Sequence, residues 1–446
     1  MSAPEFSYTQ NSLRQLATDV LRYARELGAT ACETDVSEAF GQSVTVRKSN
    51  VETIEYNRDK GIGVTVYLGQ QRGHASTSDF SPTALRDTVA AALSIARFTA
   101  PDPCAGLPEE KLLARRAMDL DLHHPWPLSV EQAIDMARCC EDAAFALSPE
   151  IRNSEGASVS VQQSQFVSAN SLGFMGGFPT SRHYISCAVI AGEGERMQRD
   201  DWYTSNRNPL HLATPEAVGV YAAQRALARL DARSLKTRSV PVLFEAPLAV
   251  GLIGSLVQAV SGGALYRKTT FLPDSLGQQI FPHHVQISER PHLKGALASS
   301  PFDDDGVATQ DREVVQDGVL QGYFLSTYSA RKLGMATTGN AGGSHNLIVK
   351  PGALDFAGLL RQMDTGLLVT ELLGQGVNYV TGDYSRGAAG YWVEKGRIAY
   401  PVQEVTIAGN LRDMFQGIVA IGNDVLVRGS KQVGSILIER MTVAGR

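Results

Sequence analysis

Between Asn11 and Leu27, apolar residues recur every three or four positions, at Leu13, Leu16, Ala17, Val20, Leu21, Ala24 and Leu27. That period gathers them on one face of an amphipathic helix, which Gly28 ends. The period then falls to two. Runs at Cys32 to Ala39, Ser43 to Lys48, Gly61 to Leu68 and Gly73 to Ser78 predict the strands of a small sheet, with polar Asn50 to Lys60 as a connector. Ser81-Pro82 supplies an N-cap and a proline at the first helical position, and Leu85, Val89, Ala92, Leu93 and Ala96 form the buried stripe of a second helix.

The pattern breaks between Pro101 and Pro127, where Pro, Asp and His accumulate and a connector is expected. Ser129 and Gln132 make a capping box for a helix to about Phe145. Period-two runs follow at Ala157 to Ser168, His183 to Glu193 and Met197 to Tyr203, with Asn170-Ser171-Leu172-Gly173 as a turn. Thr214-Pro215-Glu216 then caps a helix through Leu230. The order of the first segment is loosely repeated, without a repeat in the residues themselves.

From Ser239 glycine becomes frequent and long helices scarce. The exception follows the β-rich run at Leu243: Pro247, then Leu248, Leu252, Leu256 and Ala259 or Val260, predict a buried helix stopped by Gly262-Gly263. Its only polar side chains are Ser255, Gln258 and Ser261, so the helix displays no charged or ligating group. Short helices are expected near Ser329 to Leu333, Phe356 to Met363 and Thr370 to Leu373. Strands are expected within Gly306 to Leu325, Tyr391 to Val402 and Val425 to Met441, with Asp317-Gly318 and Lys395-Gly396 as hairpin turns. The whole reads as an α+β protein. An N-terminal α/β domain (1–120) and a middle α/β domain (121–238) set helices on small mixed or antiparallel sheets. A β-rich C-terminal domain (239–446) carries a curved or barrel-like sheet.

Length agrees, since 446 residues exceed what one core covers. Hydrophobic residues make up 43% and no apolar run reaches the roughly 18 residues of a membrane span. Met1 to Phe6 has no secretory pattern, so a cytoplasmic protein without a membrane partner is expected. A net charge of −5 with scattered Lys and Arg argues against a nucleic-acid partner. The five cysteines, Cys32, Cys104, Cys139, Cys140 and Cys187, form no C-x-x-C pair and read as reduced, packed thiols.

Candidate chemistry is sparse. None of the nine histidines stands in a zinc-binding spacing. His283-His284 reads as a solvated loop pair. His345, followed by Asn346 and preceded by Gly342-Gly343, is a titratable ring in adaptable backbone and a candidate for binding. Asp303-Asp304-Asp305-Gly306 lacks the alternation of a calcium loop and reads as a solvated turn with backbone hydrogen bonds. Asp383, Tyr384, Ser385, Arg386 and Gly387 lie in the densest polar cluster between glycines, suited to an extended peptide whose carboxylate Arg386 would hold. A barrel corner explains those glycines equally well.

Several segments together resemble the TldD/PmbA family of bacterial and archaeal peptidases, and within it the PmbA (TldE) branch. They are Asp303 to Thr309, Tyr328 to Gly334, Gly339 to Gly343, Gly374 to Asn378, Thr381 to Gly390 and Ile407 to Leu411, with Asn170 to Gly173 and Ile54 to Gly63 earlier. The resemblance implies a cytoplasmic assembly in which a TldD-type subunit binds zinc and pairs with a PmbA-type partner, acting on unfolded or short peptides. It also implies links to microcin maturation and to degradation of an antitoxin. Metal-bearing relatives carry a helix with H-E-x-x-x-H and a later cysteine ligand. If Leu252-Ile253 aligns with the pair before that motif, Gly254, Ser255 and Ala259 take its histidine, glutamate and second histidine positions. No residue past Cys187 can be the cysteine. The resemblance therefore implies a subunit with no catalytic or metal-binding residue of its own, in a heterodimer, a homodimer or both. Two alternatives stand beside it: a hydrolase built on Ser385, Arg386 and His345, and a homodimeric peptide-binding modulator without proteolysis.

Overall fold

The computed structural model describes residues 5–445, so Met1 to Pro4, part of the segment read for a secretory signal, lie outside the described residues. Helix α1 (Gln10–Glu26) is capped by Thr9, whose hydroxyl accepts the Ser12 N–H at 3.1 Å. Three strands follow, β1 (Ala31–Arg47), β2 (Asn50–Leu68) and β3 (Gln71–Thr77), and then α2 (Pro82–Phe98), which buries the stripe its spacing predicts. Helix α3 (Val130–Leu147) opens on the Ser129–Gln132 capping box. It leads into β4 (Ile151–Asn170), β5 (Met175–Gly176), β6 (Pro179–Ala191) and β7 (Gln198–Asn206), and α4 (Pro215–Ala228) closes the segment.

All seven strands form one antiparallel sheet in the order β3-β2-β1-β4-β6-β7, with β5 on β4. Its hinge is the long pairing of β1 with β4, from Glu33 opposite Asn170 to Val46 opposite Ala157. Strands from both N-terminal segments thus share one ladder. Helices cover a single face: α1 and α2 pack on Val36, Ile62, Val64 and Val167, and α3 and α4 on Val44, Val159, Ile185 and Val189. The opposite face is polar and small-residue rich.

The expected connector at Asn50 to Lys60 is instead the first half of β2, exposed yet paired with β1 as far as Asn50 opposite Arg47. Lys48 and Ser49 alone make the turn, both with positive φ (50° and 61°), a conformation that costs a non-glycine residue about 1 kcal/mol or more. The buried Glu141 of α3 offsets that cost, because its two carboxylate oxygens accept the Lys48 and Ser49 N–H groups, each at 2.9 Å.

The C-terminal part begins with β8 (Arg238–Phe244), α5 (Ala246–Ala259) and the short α6 (Gly262–Tyr266). Gly262 does not merely stop α5. It opens α6, and a Cβ there would lie 2.1 Å from the Ser329 hydroxyl, so only glycine allows the approach. Next come β9 (Ile287–Glu289), β10 (Arg312–Gln316), β11 (Val319–Leu320), α7 (Thr327–Leu333), β12 (Leu347–Val349) and α8 (Phe356–Met363). The chain ends through β13 (Gly366–Leu373), β14 (Asp383–Glu394), β15 (Arg397–Asn410), α9 (Leu411–Gln416), β16 (Ile418–Ile421), β17 (Lys431–Gln432) and β18 (Ile436–Ala444). The short helix expected at Thr370 to Leu373 is the end of β13, where pairing with β14 overrides local propensity.

Strands β8, β13, β14, β15 and β18 close into a five-stranded barrel, sealed by Thr406 to Ala408 of β15 against Thr442 to Ala444 of β18. A second sheet, β11-β10-β9-β12-β17, stands beside it. Asp317-Gly318 and Lys395-Gly396 are the two-residue hairpin turns that their residue types predict, with positive φ at all four positions. Phe244, Leu256, Phe281, Val315, Val369 and Ile407 fill the shared core of barrel, second sheet and α5. Phe166, Phe174, Phe178 and Phe302 stack edge to face where the N-terminal sheet meets this part.

Candidate functional site

Helix α5 runs from the barrel strand β8 with Pro247 in its first turn. Of the three positions taken from the resemblance, Ser255 and Ala259 are buried, and the Ser255 hydroxyl donates back to the Gly251 carbonyl at 3.1 Å. Gly254 lies on the outer side, where a Cβ would come 3.9 Å from Cε of Lys431. Among the described residues, no group of three or more His, Cys, Asp or Glu side chains is arranged to hold a metal ion.

Asp383 to Gly387 open β14. Tyr384 is buried in the core beside Phe244, and burial pushes its hydroxyl up to about 12. Ser385 is exposed on the other face, because successive side chains on a strand alternate. Ser385 and its neighbour Arg386 therefore do not share a face. The backbone here is already paired on both sides: β15 on one, and on the other Ser385 N–H donating to Gly376 O (2.7 Å) and Asn378 N–H to Asp383 O (2.8 Å). A peptide can reach this segment through side chains only. Asp383 accepts from the Thr381 hydroxyl at 2.7 Å.

His345 and Asn346 lie elsewhere, at the start of β12, and both are buried. Glu289 of β9 organises them. One of its carboxylate oxygens accepts the His345 backbone N–H (2.7 Å) and an Asn340 amide N–H (2.9 Å), and it lies 3.1 Å from His345 Nδ1. The other accepts from Arg312 Nε at 2.7 Å. Burial pushes the Glu289 carboxyl up, but the His345 hydrogen bond and the Arg312 guanidinium outweigh it and hold it at about 2. Asn346 donates to Arg290 O and Ser299 Oγ and accepts from Ala298 N–H, so its amide is committed to the fold. The aspartate turn makes its expected backbone hydrogen bonds, but Asp303 is buried rather than solvated. It accepts from the N–H groups of Asp305, Val307 and Ala341, while burial and Asp305 push its carboxyl up to about 7. His283 and His284 are exposed in a turn. The structure thus brings His345 to Glu289, and no hydrogen bond links it to Ser385 or Arg386 among the described residues.

What the sequence reading missed lies on the outer side of α5. A cavity of about 340 Å³ is bounded by Pro247, Val250 and Gly251 of α5, by Tyr203 of β7 and by three cations, Arg182, Arg428 and Lys431. The Arg428 guanidinium is held between rings, 3.5 Å from the Trp202 centroid and 4.2 Å from that of Tyr203. Arg182 donates to Arg428 O at 3.1 Å. No motif announces this cluster, because Arg182 lies more than two hundred residues before Arg428 and Lys431.

A helix-covered antiparallel sheet joined to a closed barrel, with an apolar helix leading from the first barrel strand, is the architecture of the chain. Family models for the PmbA/TldA metallopeptidase match in three consecutive pieces: domain 1 at residues 32–96, the central domain at 123–230 and the C-terminal domain at 237–445. The chain belongs to the PmbA/TldD family. It is 48% identical over 436 residues to the metalloprotease PmbA of Escherichia coli O157:H7, covering 97% of each chain. It is 46% identical to a PmbA homologue of Haemophilus influenzae, over 98% of this chain and 97% of that one. A crystal structure from Bacteroides thetaiotaomicron, described as a candidate modulator of DNA gyrase, superposes with a TM-score of 0.93 at 26% identity, covering 98% of this chain and all of the other. TldE from Thermococcus kodakarensis shares the fold, with a TM-score of 0.84 at 19% identity over 96% of this chain and all of the other. No helix among the described residues is long and apolar enough to cross a membrane.

Proposed function

We propose that the chain is the non-catalytic, PmbA/TldE-type subunit of a zinc-dependent peptidase assembly that acts on unfolded or short peptides. The zinc belongs to a TldD-type partner in the cytoplasm, and this chain pairs with that partner, with a second copy of itself, or with each in turn. The observation that carries the reading is α5: it presents Gly254, Ser255 and Ala259 at the positions the family motif gives to two histidines and a glutamate, and two of the three are buried. A catalytic zinc needs about three protein ligands and a base for its water, which these residue types cannot supply. Asp383 and Ser385, exposed on the outer face of β14, stand as the peptide-facing positions of this subunit, with Tyr384 and Arg386 backing the strand from its other face; Gly387 has no side chain to offer, and His345 and Asn346 are buried and hold the loops near the aspartate turn.

Peptidase activity on an unfolded peptide, with zinc determined by elemental analysis, tests this for the purified chain alone and mixed with a TldD-type subunit of the same organism. Turnover and about one zinc per pair in the mixture only is the expected result. Stoichiometric zinc with turnover by the chain alone overturns it.

A further inference from the structure

The cations around the outer side of α5 differ from their neighbours. Arg225 is paired with Asp200 (3.0 Å) and Glu245 (3.0 Å), and Arg229 with Asp200 (3.4 Å) and Glu371 (2.5 Å), as buried guanidinium groups require. Arg182, Arg428 and Lys431 have no carboxylate within 4.0 Å among the described residues. Each is half-buried, and Arg428 Nε is enclosed with no hydrogen-bond partner at all. Burial alone lowers the Lys431 ammonium, with no charged neighbour to offset it. Arg182 donates to Ser205 Oγ and Arg428 O and Arg428 lies on two rings, but none of the three meets an anion, and partly desolvated cations without one are costly unless a ligand supplies it.

The surroundings say which anion. A second cavity, of about 390 Å³, lies on the uncovered face of the N-terminal sheet, lined by Asn57, Gln162, Ser164 and Thr180 and also by Arg182. The two cavities therefore meet at Arg182. The sheet cavity offers amide and hydroxyl groups along strands, as an extended main chain needs, with Asp59 and Arg207 also on its lining; the cavity beside α5 offers cations beside Pro247 and Val250. From this continuity we infer that the cationic cavity beside α5 binds the terminal carboxylate of an extended peptide whose preceding residues lie across the open sheet face. An apolar last side chain would rest on Pro247 and Val250. The site lies along the Pro247, Val250 and Gly251 side of the helix, and its Lys431 reaches to within 3.9 Å of where a Gly254 Cβ would lie. The inference rests on the peptide-handling reading for the kind of ligand, but it concerns this chain alone.

The test is fluorescence anisotropy with the full chain, no partner subunit, and a labelled hexapeptide ending in leucine, as the free acid and as the C-terminal amide. The acid is expected to bind at least about tenfold more tightly, and Lys431→Met, which keeps the aliphatic stem, to erase most of that difference while leaving amide binding unchanged. Arg428→Gln should act likewise; if its melting temperature falls, Lys431→Met and the wild-type acid-to-amide ratio decide. Equal affinities for acid and amide overturn the inference. So does inorganic phosphate displacing the acid peptide at a concentration near the peptide's own Kd, which marks a generic anion site. Because no turnover is measured, failure here leaves the assembly reading standing, and failure of the assembly reading leaves this result standing.

Discussion

The N-terminal sheet and the C-terminal barrel solve the same burial problem differently. The sheet covers one face with four helices, leaves the other partly open and partly packed on the C-terminal part through Phe166, Phe178 and Phe302, and takes its order from hairpins and one long β1–β4 ladder. The barrel has no free edge: β15 returns to β18, and beside it a polar cluster of Glu289, Arg312, Asn340 and His345 fixes the loops. The first design tolerates polar substitution on its open face. The second concentrates stability in a few residues that cannot be changed singly, since breaking a buried pair strands a charge.

Glu289→Gln should show the largest effect. It removes the carboxylate that collects two backbone or amide N–H groups and the Arg312 guanidinium, and a loss of about 3–5 kcal/mol in urea unfolding is expected, with Arg312→Met similar. A loss under about 1 kcal/mol would dissolve the contrast between the two halves. The same carboxylate sets a pH dependence. Its folded pKa of about 2 lies below the ordinary 4.5, so the stability it supplies is complete above pH 4.5 and disappears as pH falls toward 2. The stability difference between wild type and Glu289→Gln should therefore shrink by on the order of 3 kcal/mol over that interval, read by denaturant melts at successive pH values.

In the sheet, Glu141→Gln places an amide N–H against the Lys48 and Ser49 donors, and a loss of about 1–3 kcal/mol follows. Replacing Lys48-Ser49 by Asn-Gly in the same variant should recover roughly 1 kcal/mol, because those residues accept positive φ. No recovery would mean that the turn is not what Glu141 supports. The smallest effect belongs to Ser385→Ala. Its side chain is exposed and unbonded among the described residues, so stability should move by less than about 0.5 kcal/mol and peptidase turnover of the mixed assembly by less than about twofold. Abolished turnover would reinstate Ser385 as a nucleophile.

Periodicity made the helices and most strands legible. Ser81, Ser129 and Thr214 cap helices where their residue types predict, and the two Gly-containing hairpins fall in place. The Lys48-Ser49 turn was hidden because neither residue type favours left-handed backbone; only Glu141, ninety-odd positions away, makes it affordable. The segment Thr370 to Leu373 was misread for a related reason, since pairing of Glu371 to Leu373 with β14, distant in the chain, decides the strand. The candidate site divides the same way. What α5 lacks could be read directly from Gly254, Ser255 and Ala259. The cationic cavity could not, because Arg182 and Arg428 are ordinary surface residue types until folding puts them together.

The sequence alone determined the elements and their faces, since side-chain period and capping act over a few residues. It also determined the absence of ligating side chains on α5, which is a matter of residue identity. Only the tertiary structure decided that β1 and β4 join the N-terminal segments in one sheet, that β15 and β18 close the barrel, and which charges are paired. Those depend on groups distant in the chain, whose meeting is worth something only once water is excluded around them.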